Sequence, residues 1–243
     1  MDLSSKTIVI TGASTGLGAG MADWFASAGA ALGLCARRRP TAPHDRTVAR
    51  SVDVTDFAAL QRFAADVVDA LGPIDLWINN AAVLEPITPV RRLTWDELER
   101  HLATNVGGVL NGTRTFLERL AADRHRGTLV NVSSGLAQKA RAGLAAYSAA
   151  KAAVDRLTEA VAAEEAELLV AALAVSPGVV ETAMQRTLRE QDPAVLRDVD
   201  LFRSFHDEDK MNSPAWVADH IARWVFGGVE PGGVIVRVPP EPR

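Results

Sequence analysis

Three side chains raise the question of chemistry: a hydroxyl at Ser134, a phenol at Tyr147 and an amine at Lys151, all within the run NVSSGLAQKARAGLAAYSAAKAAV over 131–154. Tyr147 and Lys151 stand four residues apart in alanine-rich sequence, so on a helix both project from one face. An ammonium held near a phenol favours the phenolate and lowers a pKa that is about 10 when unperturbed. The spacing therefore predicts a phenol tuned toward proton exchange near neutral pH, as a general acid or base requires. Tyr147 is the only tyrosine in the chain. An isolated tyrosine–lysine pair on a surface helix means little, so its weight depends on the elements that precede it.

Those elements begin with a short β-branched run at 7–11, which reads as a buried parallel strand. It leads straight into Gly12, Ala13, Ser14, Thr15, Gly16, Leu17 and Gly18, and then into the helical pattern of Met21, Trp24 and Phe25. Strand, glycine turn and helix form the arrangement in which backbone approaches a pyrophosphate at a helix N-terminus. The spacing here is GxxxGxG rather than GxGxxG. A second strand over 31–36 ends in Arg37, Arg38 and Arg39. In a βαβ dinucleotide site an acidic residue at this strand end would bind the 2′-hydroxyl of NAD. Ala36 followed by arginines suits the 2′-phosphate of NADP, which a planar guanidinium meets with charge-assisted hydrogen bonds. Pro40 and Pro43, with no apolar period, predict a short irregular crossover over 40–46.

A third strand over 47–52 is followed by Asp53 and Val54, with Thr55 or Asp56 as cap of a helix over 57–71. Asp53 is placed either to accept from an adenine amino group or simply to close the turn. A fourth strand, 75–79, runs into Asn80, Ala81 and Ala82, small and amide side chains that suit a floor under a cofactor. A long helical stretch over 94–122 carries Leu98, Leu102, Val106, Val109 and Leu110 on its apolar side. Asn105 stands among them, an amide that needs partners if buried. A fifth strand, 128–132, delivers Ser133 and Ser134 to the same sheet edge, and a helix over 145–167 carries Tyr147 and Lys151. A sixth strand, 168–175, is broken by Ser176, Pro177 and Gly178. Residues 183–212 are charged and irregular, in the manner of a mobile flap. Ser213 and Pro214 open a last helix to 226, and 234–238 close the sheet. The alternation predicts an α/β fold in one domain over 1–243: a single doubly wound parallel sheet of about seven strands with helices on both faces, Rossmann-type.

Composition narrows the class. The chain has 243 residues, 48% hydrophobic and 23% charged, with a formal net charge of −4, so it has no polyanion-binding signature and no nucleic-acid partner is expected. The single cysteine, Cys35, fits a reducing, cytoplasmic setting. No signal peptide is expected from the polar start MDLSSK, and the apolar run 168–175 is too short to span a bilayer. His44, His101, His125, His206 and His220 show no ligand spacing, so no metal site is expected.

Thr11-Gly12…Gly16…Gly18, Asn79-Asn80-Ala81, Asn105 and Ser134…Tyr147…Lys151 together resemble the short-chain dehydrogenase/reductase family, in its single-domain branch. Pro177, Gly178 and Thr182 match the family's pattern after the sixth strand, whereas Ala82 replaces the glycine of its NNAG form. The resemblance implies that Tyr147 protonates a carbonyl oxygen as hydride arrives, while Ser134, rather than Ser133, hydrogen-bonds that oxygen. Lys151 would hold the nicotinamide ribose and lower the Tyr147 pKa, and Asn105 would bind a water linking Lys151 to solvent. The cofactor would lie along the glycine turn from Gly12 to Gly18, Arg37, Arg38, Asp53, Val54, Asn80, Ala81 and Ala82, and reach Pro177, Gly178, Val180 and Thr182.

Glu181-Thr182-Ala183-Met184-Gln185 and the following Arg189 to Pro193 are similar to the sepiapterin reductase and benzil reductase group. In that group an aspartate of the final strand anchors the pterin. Arg237 stands at that position here and has donors only. A substrate wall of Leu136, Ala140, Leu144, Val179 and Met184, with Gln138 and Gln185 as polar handles, suits a compact ketone or vicinal diketone. The expected function is an NADP-dependent carbonyl reductase. The alternatives are an NAD(P)-dependent alcohol dehydrogenase working oxidatively, a pterin reductase, and a regulator that senses NADP without turnover. Arg37 argues against NAD, and the presence of both Tyr147 and Lys151 argues against the regulator. By resemblance, the stretches 94–122 and 145–167 would pack between subunits of a homodimer or homotetramer, with no membrane partner.

Overall fold

Strands covered on both faces read as continuous apolar runs, and β1 (Thr7–Thr11) and β2 (Ala31–Ala36) are buried at every position. The computed structural model describes residues 1–208 and 210–242. Five more strands complete one parallel sheet: β3 (Thr47–Ser51), β4 (Leu76–Asn79), β5 (Gly127–Val132), β6 (Leu169–Ser176) and β7 (Ile235–Arg237). Their spatial order is β3-β2-β1-β4-β5-β6-β7, so the chain reverses its direction of travel between β1 and β4 and leaves a crevice at their C-terminal ends.

One face is covered by α1 (Gly16–Ser27) and α8 (Pro214–Phe226), whose Met21, Phe25, Val217 and Ile221 pack on Ile8, Ile10, Leu32 and Leu34. The other is covered by α2 (Phe57–Leu71), α4 (Gly108–Asp123) and α5 (Ala145–Glu164). There Phe63, Phe116 and Val161 meet Val9, Trp77 and Leu129. The caps follow local chemistry: Asp56, not Thr55, accepts from the Ala59 N–H at 2.9 Å, and Ser213 accepts from the Trp216 N–H at 3.1 Å. No helix joins β2 to β3, as the two prolines predict.

Two expectations need correction. The stretch 94–122 is not one helix but α3 (Trp95–Leu102), a π-helical turn Ala103–Gly107, and then α4. A π turn holds an extra residue, so α4 is out of phase with α3 and Leu110, expected on the apolar side, is exposed. The flap is not irregular either. It contains α6 (Ala183–Arg189) and α7 (Val199–Asp207), with Thr182 capping the first. Leu188, Leu196, Val199 and Phe202 bury against Leu84 and Leu144 in a small core of their own. Both helices are short, and their charged outer faces mask the apolar period. Asp209, at the end of the flap, lies outside the described residues.

Gly112 on α4 shows how closely helix and sheet approach. A Cβ there would lie 2.0 Å from Asn79 Oδ1, the atom that accepts from Trp77 Nε1 at 2.8 Å. Gly112→Ala should therefore cost about 1–3 kcal/mol of stability, the usual range for overpacking. The urea midpoint measures it, and an unchanged midpoint would contradict the packing described.

Candidate active site

The glycine turn is pinned to the sheet by its neighbours. Thr11 Oγ1 accepts from the backbone N–H groups of Asn80 at 3.0 Å and Ala81 at 3.2 Å. In return Asn80 Nδ2 donates to the carbonyls of Thr11 at 2.9 Å and Gly12 at 3.2 Å. Gly12 sits at φ +68, and a Cβ on it would come within 2.7 Å of Ala81 Cα. Beyond the turn, α1 begins with no side-chain cap from Thr15 and no acidic residue in its first turn, so its leading N–H groups remain available to an anion.

These elements border a cavity of about 1090 Å³ at the crevice. Ser14, Thr15, Arg37, Arg38 and Asp53 line it, as do Ser134, Tyr147, Lys151, Met184 and Gln185. Arg37 and Arg38 are exposed, and Arg38 Nη2 donates to the Ser14 carbonyl at 3.4 Å. Asp53 Oδ1 accepts from the Thr55 N–H at 2.9 Å and hydroxyl at 2.8 Å, so this side chain closes its turn while also bordering the cavity. The uncapped helix, the close glycine turn and the arginines beyond β2 fit a dinucleotide phosphate chain. On that fit the glycine turn and α1 would hold the pyrophosphate and Lys151 the far ribose.

Ser134 follows β5, and its Oγ accepts from the Leu136 N–H at 3.1 Å. Tyr147 opens the first turn of α5. Burial pushes its phenol up to about 12, with a hydrogen bond to Ser134 pulling the other way. This reverses the expectation of a phenol tuned down by Lys151. The lysine nitrogen lies 5.6 Å from the tyrosine ring centroid, but it donates to the Val132 carbonyl at 2.7 Å. Lys151 is buried, which drives its own pKa down to about 8 against the pull of Asp155. In this setting the neutral phenol is favoured over the phenolate. Ser133 is out of competition with Ser134, because its hydroxyl donates to the buried Asp155 carboxylate and its N–H to the Val175 carbonyl. Burial in turn raises the Asp155 pKa.

Not every expected residue reaches the cavity. Val54, Ala82, Leu136, Gln138, Pro177, Gly178, Val179, Val180 and Thr182 border it. Leu144 does not: it is fully buried in the flap's core, behind the wall rather than on it. Ala140 is exposed and outside the lining. Asn105 also stands behind the wall, its Oδ1 accepting from the Val83 N–H and its Nδ2 donating to the Val83 carbonyl, both at 2.8 Å. Its side-chain amide is thereby tied to backbone, and it is not a lining group. Gln185 Oε1 is buried with no partner, an acceptor ready for a ligand.

The root of the flap is ionic. Glu181 accepts a bidentate pair from Arg189 at 2.8 and 2.9 Å, with Arg186 at 3.6 Å and His206 at 3.8 Å. Arg189 holds the Glu181 carboxyl below its usual range. Several residues that brace the site are not among those expected from sequence. Asp155 and His101 carry a detectable signal, standing four residues from Lys151 and from Asn105 on the same helical face. Asn212 carries none: it fastens Pro177 across 35 positions by donating to its carbonyl at 2.9 Å.

Sheet order, glycine turn and crevice define the Rossmann class of dinucleotide-binding folds. The chain belongs to the short-chain dehydrogenase family, oxidoreductases that use nicotinamide cofactors: the family model described as short chain dehydrogenase matches residues 6–193. It is 29% identical over 233 residues to a benzil reductase, (S)-benzoin forming, of Bacillus subtilis, across 93% of this chain and 96% of that one. An NADPH-dependent pterin aldehyde reductase of Arabidopsis thaliana is 30% identical over 190 residues, across 75% of this chain and 78% of that one. The crystal structure of the KRED1-Pglu enzyme matches with a TM-score of 0.85 at 29% identity, across 95% of this chain and 100% of that one. Among the described residues no helix is long and apolar enough to cross a membrane, and no group of three metal-binding side chains assembles.

Asp155 supports the ammonium of Lys151, whose pKa is about 8. If that charge helps hold a nicotinamide cofactor, affinity for the oxidised cofactor should fall as pH rises through about 8. In Asp155→Asn the supporting charge is gone, so the midpoint should move to lower pH. Tryptophan fluorescence titrations across the alkaline range decide it, and a midpoint shared by wild type and variant would reject the coupling.

Proposed function

We propose that this chain is an NADP-dependent carbonyl reductase that converts a ketone or vicinal diketone to the alcohol. One observation carries the reading: Ser134, Tyr147 and Lys151 come together on the wall of a single cavity large enough for cofactor and substrate together. When bound, a reduced nicotinamide supplies the hydride. Ser134 would hydrogen-bond the carbonyl oxygen, and Tyr147 would give up its proton as negative charge gathers there. Lys151, fixed by the Val132 carbonyl, would hold ribose hydroxyls with its remaining N–H donors. Arg37 and Arg38, with no acid at the end of β2, support a 2′-phosphate and therefore NADP.

The substrate side supports a compact apolar dicarbonyl. Leu136, Val179, Met184, Phe202 and Phe205 line it, with the unpartnered Gln185 Oε1 among them. The printed activity of the Bacillus relative, benzil reduction, agrees with that wall. A pterin carbonyl is the second reading, favoured by the Arabidopsis relative. Arg237 opposes it, because this exposed residue of β7 borders the cavity with donors where a pterin's amino group needs an acceptor. Oxidation of an alcohol is the reverse of the same reaction, with Tyr147 taking up the proton that it gives in reduction. A regulator without turnover would not need both Tyr147 and Lys151. We place the enzyme in a reducing, cytoplasmic setting as a homodimer or homotetramer, with the exposed Leu110 face of α4 as the contact.

Tyr147→Phe should retain NADPH binding and lose turnover by roughly 10²–10⁴-fold, the usual contribution of general acid catalysis. Near-normal reduction of benzil by that variant, followed by loss of NADPH absorbance, would end the mechanism. Arg37→Ala should lower the preference for NADPH over NADH by about tenfold to a hundredfold, the equivalent of one charge-assisted hydrogen bond. The measurement is kcat/KM with each cofactor, and a wild type that prefers NADH would overturn the NADP assignment.

A further inference from the structure

His101 has no step in the proposed reaction, yet it is fully buried on α3 one turn before Asn105. Both ring nitrogens are engaged: Nδ1 lies 2.7 Å from the Glu85 carbonyl oxygen and Nε2 lies 2.6 Å from Asn105 Nδ2. The amide's orientation is fixed independently, because its oxygen must face the Val83 N–H. A carbonyl only accepts, and an amide NH₂ group only donates. The ring is therefore the neutral tautomer with its proton on Nδ1 and a lone pair on Nε2. It meets the Tyr147 ring edge to face, with centroids 6.1 Å apart. Val83 and Leu84, the backbone this network fastens, line the cavity beside the cofactor floor.

We propose that His101 is a positioning residue: as a neutral Nδ1–H imidazole it locks Asn105 onto the Val83 backbone, holds that stretch of cavity wall against Tyr147, and releases it when the ring is protonated. Its kinetic consequence rests on the carbonyl-reductase reading. A proton added at Nε2 confronts the Asn105 NH₂ group with a second donor, so one hydrogen bond is lost and two donors oppose each other. The ionisable groups that face the ring are Lys151 and Tyr147 from α5 and Glu85 from the loop before α3. Burial and the Lys151 charge oppose protonation and outweigh the Glu85 carbonyl and carboxylate, so the pKa lies below 6.5. A base depressed in this way keeps its neutral-state contribution at neutral pH and loses it as pH falls through the lowered value.

Glutamine offers the same acceptor and donor without titrating, whereas phenylalanine fills the space with neither. In the ¹⁵N spectrum of the full chain, the imidazole signal lost in His101→Gln should report an Nδ1–H neutral ring at neutral pH. For NADPH-dependent benzil reduction, wild-type kcat should fall on the acid side, and His101→Gln should lack that limb while matching wild type at about pH 7.5 within roughly threefold. His101→Phe should lose about tenfold or more in kcat there, the equivalent of a lost positioning hydrogen bond, with NADP⁺ affinity little changed. An Nε2–H or charged ring at neutral pH, or an acid limb shared by wild type and His101→Gln, overturns the proposal. Should the wild type reduce no carbonyl at all, the functional reading falls separately. The Val83 amide resonance then decides the positioning claim: it must move on acidification in wild type and hold still in His101→Gln, and the claim fails otherwise.

Discussion

A cation enclosed by protein must find oxygen, because leaving water costs a charged group roughly several kcal/mol. Lys151 is enclosed in this way, and the carbonyl that receives it belongs to Val132, at the C-terminal end of β5. That carbonyl is held in place by the pairing of Val132 with Val175 on β6. The placing of Tyr147 and Lys151 beside Ser134 therefore depends on one register, that of α5 against β5. A one-residue slip of β5 would turn Ser134 away and remove the oxygen under Lys151 in the same movement. Asp155 supplies the countercharge one turn further along α5, and Ser133 anchors it, so neighbouring serines do different work on opposite sides of the strand end.

Buried amides maintain that register. Asn79 on β4 donates to Asn131 on β5 at 2.9 Å, and Asn131 donates to Thr158 on α5 at 2.9 Å. Thr158 closes the chain on the Val154 carbonyl at 2.7 Å. Each polar atom in the line has a partner, which makes a misplaced helix expensive and a correct one specific. Asn80 does the same between β4 and the glycine turn. The apolar clusters on either face supply adhesion, and these amides determine which residue meets which.

Much of this is legible in the sequence because its causes are local. β-branched runs between glycine and proline mark the strands, and Asp56, Ser213 and Pro214 mark helix starts through side-chain chemistry within three residues. The tyrosine and lysine need only a helical period. What is not legible depends on distance or depth. The sign of the Tyr147 shift is set by desolvation, which no neighbour in sequence reports. The π turn at Asn105 breaks a hydrophobic period that reads as continuous, and the helices of the flap hide behind charge. Leu144 has the composition of a substrate wall, but the flap's own core claims it.

The flap is held in two physically different ways. Its root is the Glu181, Arg186, Arg189 and His206 cluster, partly open to water, and its body is the core that Leu188, Leu196, Val199 and Phe202 share with Tyr147. Simple salts shorten the reach of the first interaction, to about 8 Å at physiological ionic strength. Strongly excluded anions such as sulfate tighten the second. The contacts of the root, at 2.8–3.8 Å, lie well inside that reach, so salt acts on the flap chiefly through its apolar body, which excluded anions favour burying beside the phenol.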